Sequence, residues 1–95
     1  MMEQERMKLI GIKAIKASSQ HAQIGMFIEE VGELLTALNQ HSRGRVDVDA
    51  VVTEIADVKI MTEQLALMYG YQKVDAEVER KLQRLEERIK KGTLV

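Results

Sequence analysis

IGMFIEEVGELLTAL, residues 24–38, decides how this chain folds. Its apolar residues Ile24, Phe27, Ile28, Val31, Leu34, Leu35 and Leu38 recur in steps of three and four. At about 100° per residue they form one stripe of an α-helix, the seam along which helices pack into bundles. The periodic segment extends to residues 20–40, and Ser18 and Ser19 before it either cap that helix or bend a continuous one.

The neighbouring segments repeat the pattern. Residues 3–17 carry Met7, Ile10, Ala14 and Ile15 at helical spacing. Ser42-Arg43-Gly44-Arg45 is a loop, with Asp47 or Asp49 suited to cap a third helix over residues 49–68. That helix is apolar on two sides: Val51, Ile55, Val58, Met61, Leu65 and Met68 form one face and Val52, Ala56, Ile60 and Leu67 the other. Such a helix is predicted to be central, covered by neighbours on both sides. Gly70 is a helix stop, and a fourth helix is expected over residues 74–91 with Val78, Leu82, Leu85 and Ile89 at its core positions. Glu77–Lys81, Glu86–Lys90 and Glu87–Lys91 are spaced for ion pairs along it. The expectation is therefore an all-α fold: a four-helix bundle-like core in a single domain over residues 1–95, oligomerising through helix faces.

Composition agrees with that class. The chain has 95 residues, 45% of them hydrophobic, with no proline, two tyrosines and one phenylalanine. Its core must be built from aliphatic residues and methionine, which suit helices joined by short loops. So thin a core on so short a chain predicts self-association, because a second copy can cover the remaining apolar stripes. A net charge of −1 argues against a duplex nucleic-acid binder. With no cysteine, disulfides and thiolate metal sites are excluded. The charged start, Met1-Met2-Glu3-Gln4-Glu5-Arg6, leads into no apolar signal region, and no apolar run reaches membrane-spanning length. A cytoplasmic protein with no membrane partner is expected.

Two acidic pairs break the pattern, Glu30-x-x-Glu33 and Glu54-x-x-Asp57. Side chains three apart on a helix lie side by side, so each pair aims two carboxylates in nearly one direction. Glu54 falls inside the apolar arc of its helix and Asp57 about 20° beyond the arc's edge. Glu30 borders its own stripe, Glu33 lies about 60° further round, and Glu29 points toward the opposite side. Acids placed against apolar stripes are costly to bury without a positive partner, and two such pairs on facing helices supply the oxygen donors that a hard cation such as Mg²⁺ requires. His21 and His41 read as surface residues. Neither belongs to a Glu-x-x-His pair, which argues against a carboxylate-bridged redox metal bundle.

Glu29-Glu30-Val31-Gly32-Glu33-Leu34-Leu35 followed by Glu54-Ile55-Ala56-Asp57-Val58 resembles the EExxE…ExxD signature of the MazG-like all-α nucleoside triphosphate pyrophosphohydrolases. The likeness covers about residues 20–88. It implies Mg²⁺-dependent hydrolysis of a nucleoside triphosphate to the monophosphate and pyrophosphate by a homodimer or homotetramer, with Mn²⁺ as a substitute ion. It further implies Glu30, Glu33, Glu54 and Asp57 as metal ligands and Glu29 as a further ligand or a base that orients water. Lys81 would contact phosphate, with Arg84 beside it. The tryptophan that many relatives place before the motif is absent. Gln23, two turns before Glu30, either reaches a base or phosphate or is simply solvated. The alternative to an enzyme is a non-catalytic helical oligomer whose acidic cluster is a structural cation site.

Overall fold

In the computed structural model, which describes residues 2–93, four helices follow one another: α1 (Glu3–Ala17), α2 (Gln20–Ser42), α3 (Val48–Tyr69) and α4 (Tyr71–Lys91). No strand occurs among the described residues. None of these helices is long and apolar enough to cross a membrane.

Local chemistry sets the boundaries. The Ser18 hydroxyl turns back to donate to the Ala14 carbonyl oxygen, ending α1, while the Ser19 hydroxyl accepts from the Ala22 amide at 3.0 Å and caps α2. The two serines therefore divide separate helices. Asp47, rather than Asp49, caps α3, its Oδ1 accepting from the amides of Asp49 and Ala50. Gly70 has φ of 113°, a conformation strained for any residue with a Cβ, and it alone separates α3 from α4. α4 therefore begins at Tyr71, three residues earlier than its apolar periodicity suggested.

α3 is the central element, as its two apolar faces predicted, and packs against α2, α1 and α4. The buried apolar residues are Val51, Met61 and Ala66, all on α3. Gly11 of α1 lets that helix approach closely, since a Cβ there would lie 2.9 Å from Leu67 Cδ1 and 3.3 Å from Gln64 Cγ.

Elsewhere the core is smaller than the periodicity implied. Val78, Leu82, Leu85 and Ile89, expected in a core, are exposed, and α4 has no buried residue. The reason is the single-residue joint: α4 leaves the other helices after its first turn, where Gln4 donates to the Tyr71 hydroxyl at 3.4 Å and Lys8 Nζ lies 4.0 Å from the Tyr71 ring. Ile28, Leu35 and Leu38 of α2 and Ile10 of α1 are likewise exposed, because α3 covers only one side of each helix. The radius of gyration is 16.1 Å, whereas a compact chain of this length has about 12 Å. The one ion pair among the described residues joins Glu77 to Arg80 at 2.8 Å, three residues apart, in place of the expected Glu77–Lys81 pair.

Candidate metal centre

The short loop between α2 and α3 turns the chain back on itself, so the two acidic pairs meet across an antiparallel seam. Glu33 is set against Glu54 and Asp57 against Glu30, and the charges of Glu33 and Asp57 act on both Glu30 and Glu54. One carboxylate oxygen from each of Glu30, Glu33 and Glu54 lies within 4.8 Å of the others. Asp57, half-buried one turn beyond Glu54, adjoins this trio as a fourth negative charge.

Burial of the Glu30 carboxyl raises its pKa above the ordinary value of 4.5, and the charges of Glu33, Asp57 and Glu54 raise it further. Burial likewise raises that of Glu54, followed by Glu33 and Asp57. Glu33 accepts a hydrogen bond from the protonated form of either one. All the charges acting on Glu30 and Glu54 are negative; neither has a lysine or arginine for a neighbour. Glu30 Oε2 and Glu54 Oε2 are both inaccessible to solvent and without a hydrogen-bond partner. A buried carboxylate oxygen without a donor is costly. Four oxygen-bearing acids with no nitrogen or sulfur donor among them match the ligand preference of a hard divalent cation.

Glu29 stands apart from this trio. It is exposed and, with Glu33 and Glu54, lines a groove of about 550 Å³ that runs from the carboxylates toward the α2–α3 loop. Ligand pockets span about 300–1,000 Å³, so the groove has room for a small molecule. Gly32, Ala37, Val46 and Ala50 line it as well, together with the polar residues Thr36 and Gln40. Sequence reasoning did not single out Thr36 and Gln40. Both fall on the helix face of Glu29 and Glu33, at positions 29, 33, 36 and 40, and that spacing was the available signal.

The remaining residues lie away from the acids. Gln23 is neither solvated nor on the groove. It is 4% exposed, its Nε2 donates to Ser18 Oγ at 2.9 Å, and its Oε1 has no partner. The register that matches the acids sets Gln23 opposite Gln64, which is 7% exposed and also has an unpartnered Oε1. Gln64 was not anticipated, because a polar residue in a charged helix carries no mark of burial by itself. Lys81 and Arg84 lie on the exposed part of α4, and Lys81 acts on Glu77 rather than on the acidic trio. His21 and His41 are on the surface, as anticipated, with His41 Nδ1 held 3.0 Å from the Val46 carbonyl oxygen.

Comparison of the chain with models of protein families, with curated proteins and with solved structures finds no match.

Proposed function

We propose that this chain is a Mg²⁺-dependent nucleoside triphosphate pyrophosphohydrolase, working as a homodimer or homotetramer. The observation that carries the proposal is the pair of buried, partnerless carboxylate oxygens of Glu30 and Glu54, set among four acids with no lysine or arginine beside them. A divalent cation would satisfy both oxygens and offset the burial and the repulsion that raise their pKa values. Triphosphates are among the substrates that need such a cation, because a carboxylate cluster alone repels them.

Glu30, Glu33, Glu54 and Asp57 would hold the metal, with Mn²⁺ able to replace Mg²⁺. When bound, Mg²⁺ supplies positive charge toward phosphate oxygens and acidifies water in its vicinity. The chain's own groups provide the rest. Glu33 belongs to both the cluster and the groove and Glu29 lines the groove beside it, so either is a candidate to accept the proton of the attacking water. That water breaks the anhydride bond between the α- and β-phosphates, and its oxygen ends on one product. The nucleoside monophosphate and pyrophosphate are released. The small apolar residues Gly32, Ala37, Val46 and Ala50 would lie against the nucleoside, and Gln40 could exchange hydrogen bonds with it while the Thr36 hydroxyl, which donates to the Gly32 carbonyl oxygen, could accept one. Lys81 and Arg84 would stabilise charge on the departing pyrophosphate. Removal of unwanted nucleotides from the pool is a role such a hydrolase would serve, since the cation held by the carboxylates would engage the triphosphate that all of these nucleotides share.

Pyrophosphate release from canonical and modified nucleoside triphosphates, measured with Mg²⁺ and with EDTA, tests the proposal. Turnover that requires Mg²⁺ and disappears in Glu54→Gln, with helical content unchanged, is expected. Mg²⁺ binding without turnover of any triphosphate would favour the structural cation site instead.

A further inference from the structure

We propose that Thr36 binds the sugar of the substrate, its hydroxyl oxygen accepting a hydrogen bond from a sugar hydroxyl, and thereby sets which nucleotides the groove prefers. The inference rests on the pyrophosphohydrolase reading and adds to it the direction in which the nucleotide lies. Glu29, Glu33, Thr36 and Gln40 all line the groove and fall within an arc of about 60° on α2. Glu33 and Glu54 belong both to the groove and to the acidic trio. A cation held by the trio would fix the phosphates at that level. Sugar and base then extend toward the α2–α3 loop, the side on which Thr36, Ala37, Gln40, Val46 and Ala50 line the groove. Along the axis of α2, Thr36 stands about 4.5 Å beyond Glu33, and Gln40 about 6 Å beyond Thr36. That succession matches the covalent order of phosphate, sugar and base.

The chemistry of the Thr36 hydroxyl selects its partner. It donates to the Gly32 carbonyl oxygen at 3.0 Å, so the oxygen has only lone pairs left to offer. Lone pairs require a donor. Ionised phosphate oxygens are acceptors alone, whereas a sugar hydroxyl can donate. Two backbone acceptors on the same stretch are already engaged. The Val46 carbonyl oxygen lies 3.0 Å from His41 Nδ1, and the Gln40 carbonyl oxygen accepts from the amides of Arg43 and Arg45 at 3.2 and 2.9 Å. The Gln40 side-chain amide carries both a donor and an acceptor, which suits the edge of a base. Among the described residues that line the groove none is aromatic, so the base finds no ring to stack on. The sugar contact therefore carries a larger share of the discrimination.

The test sets one hydroxyl of the protein against one hydroxyl of the substrate. kcat/KM is measured with Mg²⁺ for the ribo-, 2′-deoxy-, 3′-deoxy- and 2′,3′-dideoxynucleoside triphosphates of the base that the wild type hydrolyses fastest. The same series is run on Thr36→Ser and Thr36→Val. Valine keeps the shape of the side chain without its hydroxyl, and Thr36 is exposed, so helical content by circular dichroism stays unchanged. In the wild type, loss of the bonded sugar hydroxyl should lower kcat/KM about fivefold, and the two single-deoxy substrates identify which hydroxyl it is. Thr36→Ser should keep that ratio. Thr36→Val should abolish it, losing activity on the ribonucleotide while leaving the dideoxynucleotide unaffected. A wild type that hydrolyses all four substrates equally overturns the proposal. So does a ratio that survives Thr36→Val, which would make the threonine a structural residue. Either result leaves the pyrophosphohydrolase reading standing. A wild type that hydrolyses no triphosphate overturns that reading and this inference with it, so the two failures are distinguishable.

Discussion

Glu54→Gln should raise the stability of the metal-free protein while abolishing its response to Mg²⁺. The amide keeps the shape of the side chain but removes one negative charge from four that face one another, and it brings donors to carboxylates that have none. The metal-free variant should therefore melt above the metal-free wild type. Added Mg²⁺ should reverse the order. A ligand present at a hundred times its Kd stabilises the folded state by about 2.7 kcal/mol. A chain of 95 residues unfolds with an entropy of about 200 cal/mol/K. Dividing the first by the second gives a rise of about 13 °C in the wild-type midpoint. Thermal melts followed by circular dichroism, with EDTA and then with a Mg²⁺ series, read both effects. An equal shift in wild type and variant would place any bound ion elsewhere. A wild type unmoved by millimolar Mg²⁺, with a metal-free variant no more stable than it, would refute the reasoning about the cluster.

Three further outcomes follow from individual residues. Because the folded-state pKa values of Glu30 and Glu54 lie above the ordinary 4.5, these groups favour folding most below that value, and the contribution is lost as pH rises through their raised values. The urea midpoint of the metal-free protein should thus contain a component that increases on acidification from neutrality toward pH about 5, that Glu30→Gln/Glu54→Gln removes, and that saturating Mg²⁺ suppresses. Gln64→Leu removes a buried, unpartnered acceptor from the α1–α3 contact and should stabilise the fold by about 1 kcal/mol, seen as a higher urea midpoint at unchanged slope; a loss of stability would mean that the amide oxygen is bonded in solution. Asp47→Ala removes the cap of α3 and should cost about 1 kcal/mol, measured in the same way, with Mg²⁺ affinity by calorimetry unchanged because Asp47 is not a member of the acidic cluster.

Several features of the fold were legible residue by residue. The apolar steps between Ile24 and Leu38 identified α2, and the two apolar sets between Val51 and Met68 identified α3 as the helix with neighbours on more than one side. The serine pair, Asp47 and Gly70 marked boundaries through chemistry that needs no distant partner: a hydroxyl or carboxylate facing free amides, and a residue without a Cβ where φ is positive. Glu54 inside an apolar arc was equally visible, because its conflict with the local pattern exists before any tertiary contact forms.

The convergence of Glu33 with Glu54 and of Glu30 with Asp57 needed the antiparallel register of α2 and α3, which no single helix encodes. Amphipathic periodicity says which face of α4 is apolar but not whether anything covers it, so Val78, Leu82, Leu85 and Ile89 read as core residues and are exposed. Gln23 and Gln64 show the converse, since their burial depends on which residues oppose them across the seam. Local rules act through neighbours three and four residues away and therefore determined helices, caps and the acidic pairs. Register, burial and the direction in which α4 leaves the core depend on contacts distant in sequence, and the tertiary structure alone decided them.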